Sequence, residues 1–313
     1  MDDRGPIQVG ARRRTLCPER RALSRLRTFG AEGEGKVARV RGILFVELLG
    51  GLGDVLISLQ AIQALARSHL EARLTVLTFR PGGERFLRIL LDDGLIEPEA
   101  ISPPRLHLAT GERSVVVERL AGTRRPLAFL LPDAGMEVKR WPEESWGKLG
   151  RALRDRHDAD VVVPVGSYPG QASRVARLVG ERTRVWPRGT LRELAAALAH
   201  ADLVVAADTG PARIAATLGV PTVMLFGPAW HGRYGQAPPH VNLQGHYVCP
   251  QRVILDFTQQ PCWYMGTCTL EATPWRTCLE DISVEDALAA ATFQEGWADP
   301  EPSAYEARLG GGV

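Results

Sequence analysis

Long apolar runs are missing from this 313-residue chain. None approaches the roughly 20 consecutive apolar residues that a membrane-spanning helix needs, so no span is expected. The N-terminus lacks an apolar h-region, so no signal peptide is expected, and the chain reads as cytoplasmic. A strong charge of one sign is absent too: the formal net charge is +2, and residues 1–41 hold eleven Lys and Arg against five Asp and Glu. The rest of the chain is therefore net acidic, which argues against a nucleic-acid footprint on the folded part. Cysteines are scarce, five in all, yet four fall within residues 249–278. A cytoplasmic chain keeps thiols reduced, so disulfides do not explain that crowding. A dinucleotide fingerprint is also lacking, because Leu56 occupies the third glycine position after Gly51 and Gly53.

What is present is an alternation of short apolar runs and amphipathic stretches. Ile43–Leu49 reads as a strand, and Gly50-Gly51-Leu52-Gly53-Asp54 turns into a helix with Val55, Leu56, Leu59, Ile62, Leu65 and Ala66 on one face. Leu74–Phe79 is a second strand, Pro81-Gly82-Gly83 opens a helix to about Leu91, and Ser114–Val117 is a candidate third strand. The pattern restarts after Gly122 with strand Leu127–Leu131. Pro142 and two acids then start a helix to about Arg156, followed by strand Val161–Val165 and helices Ala172–Val179 and Leu191–Ala199. Leu203–Ala206 is an unbroken apolar run, as expected of a parallel strand buried on both faces. A helix begins at Pro211 and stops at Gly219, and Val220–Phe226 is the next strand. Ser283 and Asp286 cap a last helix, Val284–Phe293. The expected organisation is a basic mobile tail (1–40), a shortened first lobe (41–125), a second lobe (126–290) and a C-terminal tail (291–313), with α/β lobes that are both doubly wound.

Four sets of residues carry chemistry, and each has a plainer alternative. Asp54, at a helix start, is either a cap or a carboxylate facing a cleft. Lys139 and Arg140, just before a helix, are either solvated charges or a basic pair that meets a diphosphate. Asp208, Thr209 and Gly210 lie at the carboxyl end of a strand, where helix N–H groups attract phosphate. An acid, a hydroxyl and a glycine there suit a sugar nucleotide, but also an ordinary capped helix. Cys249, Cys262, Cys268 and Cys278 lack a Cys-x2-Cys pair, so they form no standard zinc signature. They are either small buried apolar groups beside Trp263 and Trp275 or the ligands of a structural zinc or iron.

Three motifs in order resemble glycosyltransferase family 9, the ADP-heptose:lipopolysaccharide heptosyltransferase family, over about residues 42–290. They are Leu52-Gly53-Asp54, then Lys139-Arg140-Trp141-Pro142, then Ala201 to Val205 through Asp208-Thr209-Gly210-Pro211 to Leu225-Phe226-Gly227-Pro228. The resemblance implies a GT-B-like architecture of two Rossmann-like lobes facing a cleft, with the sugar nucleotide on the second lobe and the acceptor entering from the first. It implies inverting transfer that needs no metal or other cofactor for catalysis. Asp54 would be the general base, Lys139 the contact to the donor diphosphate, and Asp208, Thr209 and Gly210 the diphosphate and sugar loop. The implied partners are a nucleotide-diphosphate sugar, ADP-heptose-like, and a glycan or lipid-linked acceptor met at the inner face of the membrane. Some members that glycosylate proteins carry a cysteine-bound iron in the second lobe. Arg213 stands where the family usually has a histidine, and it can bind phosphate in that role. The first lobe is abbreviated, and a glutamate used near Gly166 is not evident, though Gln171 is nearby. A sugar-nucleotide-binding protein without transfer, or a GT-B-like epimerase, are the competing readings.

Overall fold

The computed structural model describes residues 8–9, 40–47, 51–69, 72–78, 85–86, 89, 96–101, 104–106, 108, 110–254, 259–270 and 276–292. Most of both expected tails, most of the helix expected at 81–91, and Trp275 lie outside the described residues. No described helix is long and apolar enough to cross a membrane. Contacts divide the chain into two compact units, Met1–Arg88 and Ile89–Val313.

In the first unit β1 (Gln8–Val9), β2 (Gly42–Glu47) and β3 (Arg73–Thr78) form a sheet in the order β1-β3-β2. β2 runs parallel to β3, and α1 (Leu52–Ser68) is the crossover between them. Val55, Leu56, Leu59 and Ile62 recur at helical spacing and are buried. Gln8 and Val9 pair antiparallel with Leu77 and Val76, so part of the expected mobile tail instead adds a strand.

The second unit begins with a two-stranded antiparallel ribbon, β4 (Ile96–Ile101) and β5 (Pro104–Leu106). The strand expected at Ser114–Val117 is instead the middle of α2 (Thr110–Leu120). Three consecutive valines favour a strand intrinsically, but Val116 and Leu120 sit one helical turn apart and are both buried. Glu112 also pairs with Arg192 of a later helix. Packing overrides propensity here, and the helix lies in the unit Ile89–Val313.

Six parallel strands follow: β6 (Leu127–Leu131), β7 (Asp160–Pro164), β8 (Thr183–Trp186), β9 (Leu203–Ala207), β10 (Thr222–Phe226) and β11 (Val241–Gln244). Their connections include α3 (Glu143–His157), α4 (Gln171–Val179), α5 (Leu191–Ala199), α6 (Gly210–Thr217) and the short α7 (His231–Tyr234). Two more helices, α8 (Pro261–Met265) and α9 (Val284–Thr292), complete the unit. Every residue of β6, β7, β9 and β10 is buried, which explains their unbroken apolar runs.

Strand order decides where a ligand can go. The sheet reads β8-β7-β6-β9-β10-β11, so the chain moves outward from β6 to β8, returns beside β6 as β9, and moves outward again. The order reverses between β6 and β9, and ligands of open α/β sheets bind outside the carboxyl ends of the strands at such a point. The loop after β6 is anchored from below. Trp141 and Trp146 are buried with their rings 5.1 Å apart, edge to face, and Trp141 Nε1 donates to the Ile282 carbonyl at 3.0 Å. The residues just ahead of Trp141 are thereby held at the sheet's carboxyl edge.

Candidate functional site

Asp54 is the third residue of α1. Its Oδ2 accepts from the Gly51 amide at 3.3 Å, so the carboxylate lies over the start of its own helix. Gly51 permits that approach, since a Cβ there would lie 2.7 Å from Oδ2. In this state Asp54 acts as a cap, and Asn could keep the same bond.

At the switch point the loops after β6 and β9 meet. Lys139 ends a 3-10 turn, Glu137–Lys139, and its Nζ donates to Asp208 Oδ2 at 2.8 Å across 69 residues of sequence. Arg213, from α6, donates through Nη2 to Asp208 Oδ1 at 3.3 Å and to the Tyr234 carbonyl at 2.7 Å. Arg213 is buried, so it braces Asp208 from below rather than offering an open fork. Burial works to raise the Asp208 pKa, yet Lys139 and Arg213 outweigh it and hold the carboxyl below its usual range. Two cations around one carboxylate leave the edge with a net positive charge. Thr209 is the N-cap of α6, but its hydroxyl makes no cap bond and is buried without a partner. The helix N-terminus and that hydroxyl therefore add unused donors beside the cations.

The same edge holds Asp133, Tyr168 and Trp263, which the sequence alone did not single out as a site, and Arg140, which it did. Asp133 follows β6 and accepts from Ser167 N at 2.6 Å and Ser167 Oγ at 2.7 Å in the loop after β7. Arg140 stacks on Tyr168, 4.0 Å from the ring centre. Trp263, of α8, lies under Lys139 Nζ at 5.1 Å. An acid at the carboxyl end of a central strand was the available signal for Asp133. No signal connects Trp263 to Lys139.

The four cysteines come together. Cys249, Cys262, Cys268 and Cys278 line one cavity of ≈ 20 Å³ with Val138, Pro228, Gln251, Arg252 and Gln260. Burial pushes the Cys278 thiol up to about 12, and the neighbouring thiols push in the same direction. Among the described residues, however, no three or more His, Cys, Asp or Glu stand arranged as ligands for a metal ion. The expected metal set is thus a cluster of four free thiols in this state, Cys278 buried and Cys249, Cys262 and Cys268 half-buried. Val138 in that cavity, the Arg276–Glu137 pair and Trp263 make this segment the backing of the Lys139 turn.

The family model for glycosyltransferase family 9 (heptosyltransferase) matches residues 90–253, more than half of the chain. The chain belongs to glycosyltransferase family 9. The matched part contains Lys139, Asp208, Thr209, Gly210, Arg213 and Cys249; Asp54 and the other three cysteines lie outside it. Lipopolysaccharide heptosyltransferase 1 of Pseudomonas aeruginosa is 35% identical over 168 residues, which is 52% of this chain and 43% of that protein. Lipopolysaccharide heptosyltransferase 2 of Escherichia coli K12 is 23% identical over 158 residues, 47% of this chain and 45% of that protein. The chain thus spans less than half the length of these curated relatives. Among solved structures, the glycosyl transferase family 9 protein from Veillonella parvula aligns with a TM-score of 0.58 at 16% identity, covering 81% of this chain and 97% of that one. The iron-containing dodecameric glycosyltransferase TibC of enterotoxigenic E. coli aligns with a TM-score of 0.52 at 15% identity, covering 82% and 77%. These two likenesses bear on the fold, and the α/β, GT-B-like class expected from the sequence is the family-9 fold.

Proposed function

We propose that this family-9 chain transfers a heptose-like sugar from a nucleotide-diphosphate donor to a hydroxyl of a cell-surface glycan or lipid-linked acceptor. The observation that carries the reading is Asp208 held between Lys139 and Arg213, beside an unpaired Thr209 hydroxyl, at the topological switch point. Donor binding lets the diphosphate compete with Asp208 for Lys139. As the bond to the sugar breaks, negative charge grows on the leaving diphosphate. Lys139, the Thr209 hydroxyl and the α6 N-terminus stabilise that charge, while Arg213 holds Asp208 in place. Transfer proceeds with inversion and without a catalytic metal, as the family resemblance implies. Asp54 takes the proton of the acceptor hydroxyl as it attacks the anomeric carbon. The reaction takes place in the cytoplasm, where a lipid-linked acceptor is met at the inner face of the membrane.

Asp54→Asn tests the enzyme reading. Transfer should fall roughly 10²- to 10⁴-fold, while donor affinity stays unchanged and stability shifts by less than about 1 kcal/mol. Near wild-type transfer in the variant would leave Asp54 as a cap and overturn the mechanism. Donor binding with no transfer and no donor hydrolysis in the wild type would favour a binding protein.

The cysteine segment is proposed to hold a structural zinc or iron. Four sulfurs suit either metal, and the buried Arg252 Nε–H, unpartnered beside the cavity, is placed to donate to a metal-bound thiolate. Loading would draw the thiols together and displace their protons. Elemental analysis should find about one equivalent of zinc or iron per chain. Neither metal, with a melting temperature indifferent to chelator, would overturn the proposal.

A further inference from the structure

The Lys139 ammonium has a second contact that the proposed mechanism leaves unused. Its Nζ lies 5.1 Å from the ring centre of Trp263, while it donates to Asp208 Oδ2 at 2.8 Å. Trp263 is the middle residue of α8, and that helix is anchored independently of Lys139. Gln260, just ahead of it, is 1% exposed and donates through Nε2 to the Pro228 carbonyl at 3.2 Å. Gly266 closes the helix in the left-handed region, at φ 72°, where a side chain would be strained. The residues next to the contact are tied down as well. Val138 precedes Lys139, Cys262 precedes Trp263, and both line the cysteine cavity. Arg276 pairs with Glu137, two residues before Lys139. The ammonium and the ring are therefore brought together by two stretches of backbone that meet at one cavity.

We infer that Trp263 positions the Lys139 ammonium for the donor diphosphate, an inference that rests on the function proposed above. Asp208 and an incoming diphosphate are both anions, so they compete for the same N–H donors. The ring does not compete. Its negative face attracts the ammonium and repels an anion, so Lys139 can exchange Asp208 for phosphate oxygens without leaving the ring. A lysine free to swing would lose rotamer freedom as it bound the donor. Over the ring, with its side chain only 18% exposed, Lys139 has given up part of that freedom beforehand. Trp263 acts through Lys139, as a positioning residue, and it gives the cysteine segment a part in donor binding.

The test is a double-mutant cycle read by calorimetric titration with ADP, or with whichever of ADP, GDP and UDP binds. Trp263→Leu should weaken binding about 2- to 30-fold. Trp263→Phe keeps a smaller aromatic face and should fall between wild type and Trp263→Leu. In the Lys139→Ala background, Trp263→Leu should change affinity by less than about 2-fold, because no ammonium is left to position. Should Trp263→Leu not fold, Trp263→Phe carries the same cycle, with a smaller loss that must again vanish without Lys139. An equal loss with and without Lys139 would make Trp263 a brace of the loop and overturn the inference. Trp263→Phe as weak as Trp263→Leu would overturn it too. Binding that needs Lys139 but is indifferent to Trp263 would overturn this inference alone, whereas no binding of any nucleoside diphosphate to wild type would overturn the proposed function with it.

Discussion

At the amino edge of the six-stranded sheet, buried acids are engaged through both oxygens. Asp202 accepts from the Leu127 amide at 2.8 Å and from Arg125, and Asp160 accepts from the Arg124 amide at 2.8 Å and from Arg182 Nε at 2.7 Å. At the carboxyl edge the acids are tied by one side or crowded by cations, and Asp133, Gln171 and Thr209 keep an unpaired buried oxygen each. The sheet and the core are common to both edges, so the difference is one of use. Completed pairs lock strand to loop and contribute stability. Unfinished pairs cost stability and are tolerated where a ligand completes them.

The largest expected effect sharpens the amino-edge side. Burial first, then Arg125 and Arg113, hold the His200 imidazole down to about 4 against an ordinary 6.5. Between those values the unfolded chain binds the proton and the folded chain does not, so stability falls as pH drops from 6.5 toward 4. The loss reaches about 3 kcal/mol at pH 4. Denaturant melts of wild type and His200→Gln should therefore converge by that amount between neutral pH and pH 4, and parallel curves would contradict it.

A crossed pair of substitutions comes next. Asp202→Ala should cost roughly 2–3 kcal/mol, because the buried Leu127 amide loses its acceptor, and should leave nucleotide affinity of the folded protein unchanged. Lys139→Ala should weaken nucleoside diphosphate binding about 10- to 100-fold, with a smaller loss of stability than Asp202→Ala because Arg213 still pairs with Asp208. If both substitutions moved stability and affinity together, the two edges would not be functionally distinct. The smallest effect is Thr209→Val. It removes a buried hydroxyl that has no partner, so stability should rise by up to about 1 kcal/mol while nucleotide affinity falls a few-fold. A destabilised variant would mean that the hydroxyl is already satisfied.

Much of this was legible in the sequence where burial is complete. Leu127–Leu131 and Leu203–Ala207 are unbroken apolar runs because both faces are covered. The sheet-edge strands Thr183–Trp186 and Val241–Gln244 carry no such pattern, since all their residues except Trp186 are half-buried or exposed and include Arg184, Asn242 and Gln244. Valines 115–117 misled because a helix docked on α5 tolerates β-branched residues. Lys139 and Asp208 were readable as motif residues, but their direct bond follows only from β9 returning beside β6. Asp133 and Ser167 meet across 34 residues for the same kind of reason, through the pairing of β6 with β7. Strand order is a global property, and no local pattern encodes it.

Hydrogen–deuterium exchange of the wild-type protein with and without saturating nucleoside diphosphate tests the central claim most directly. The account predicts slowed exchange in 132–140, 166–171 and 208–214 at the carboxyl edge, and none in 124–127, 158–160 or 200–203 at the amino edge. Protection confined to the amino edge, or to residues 42–78 of the first unit, would contradict it.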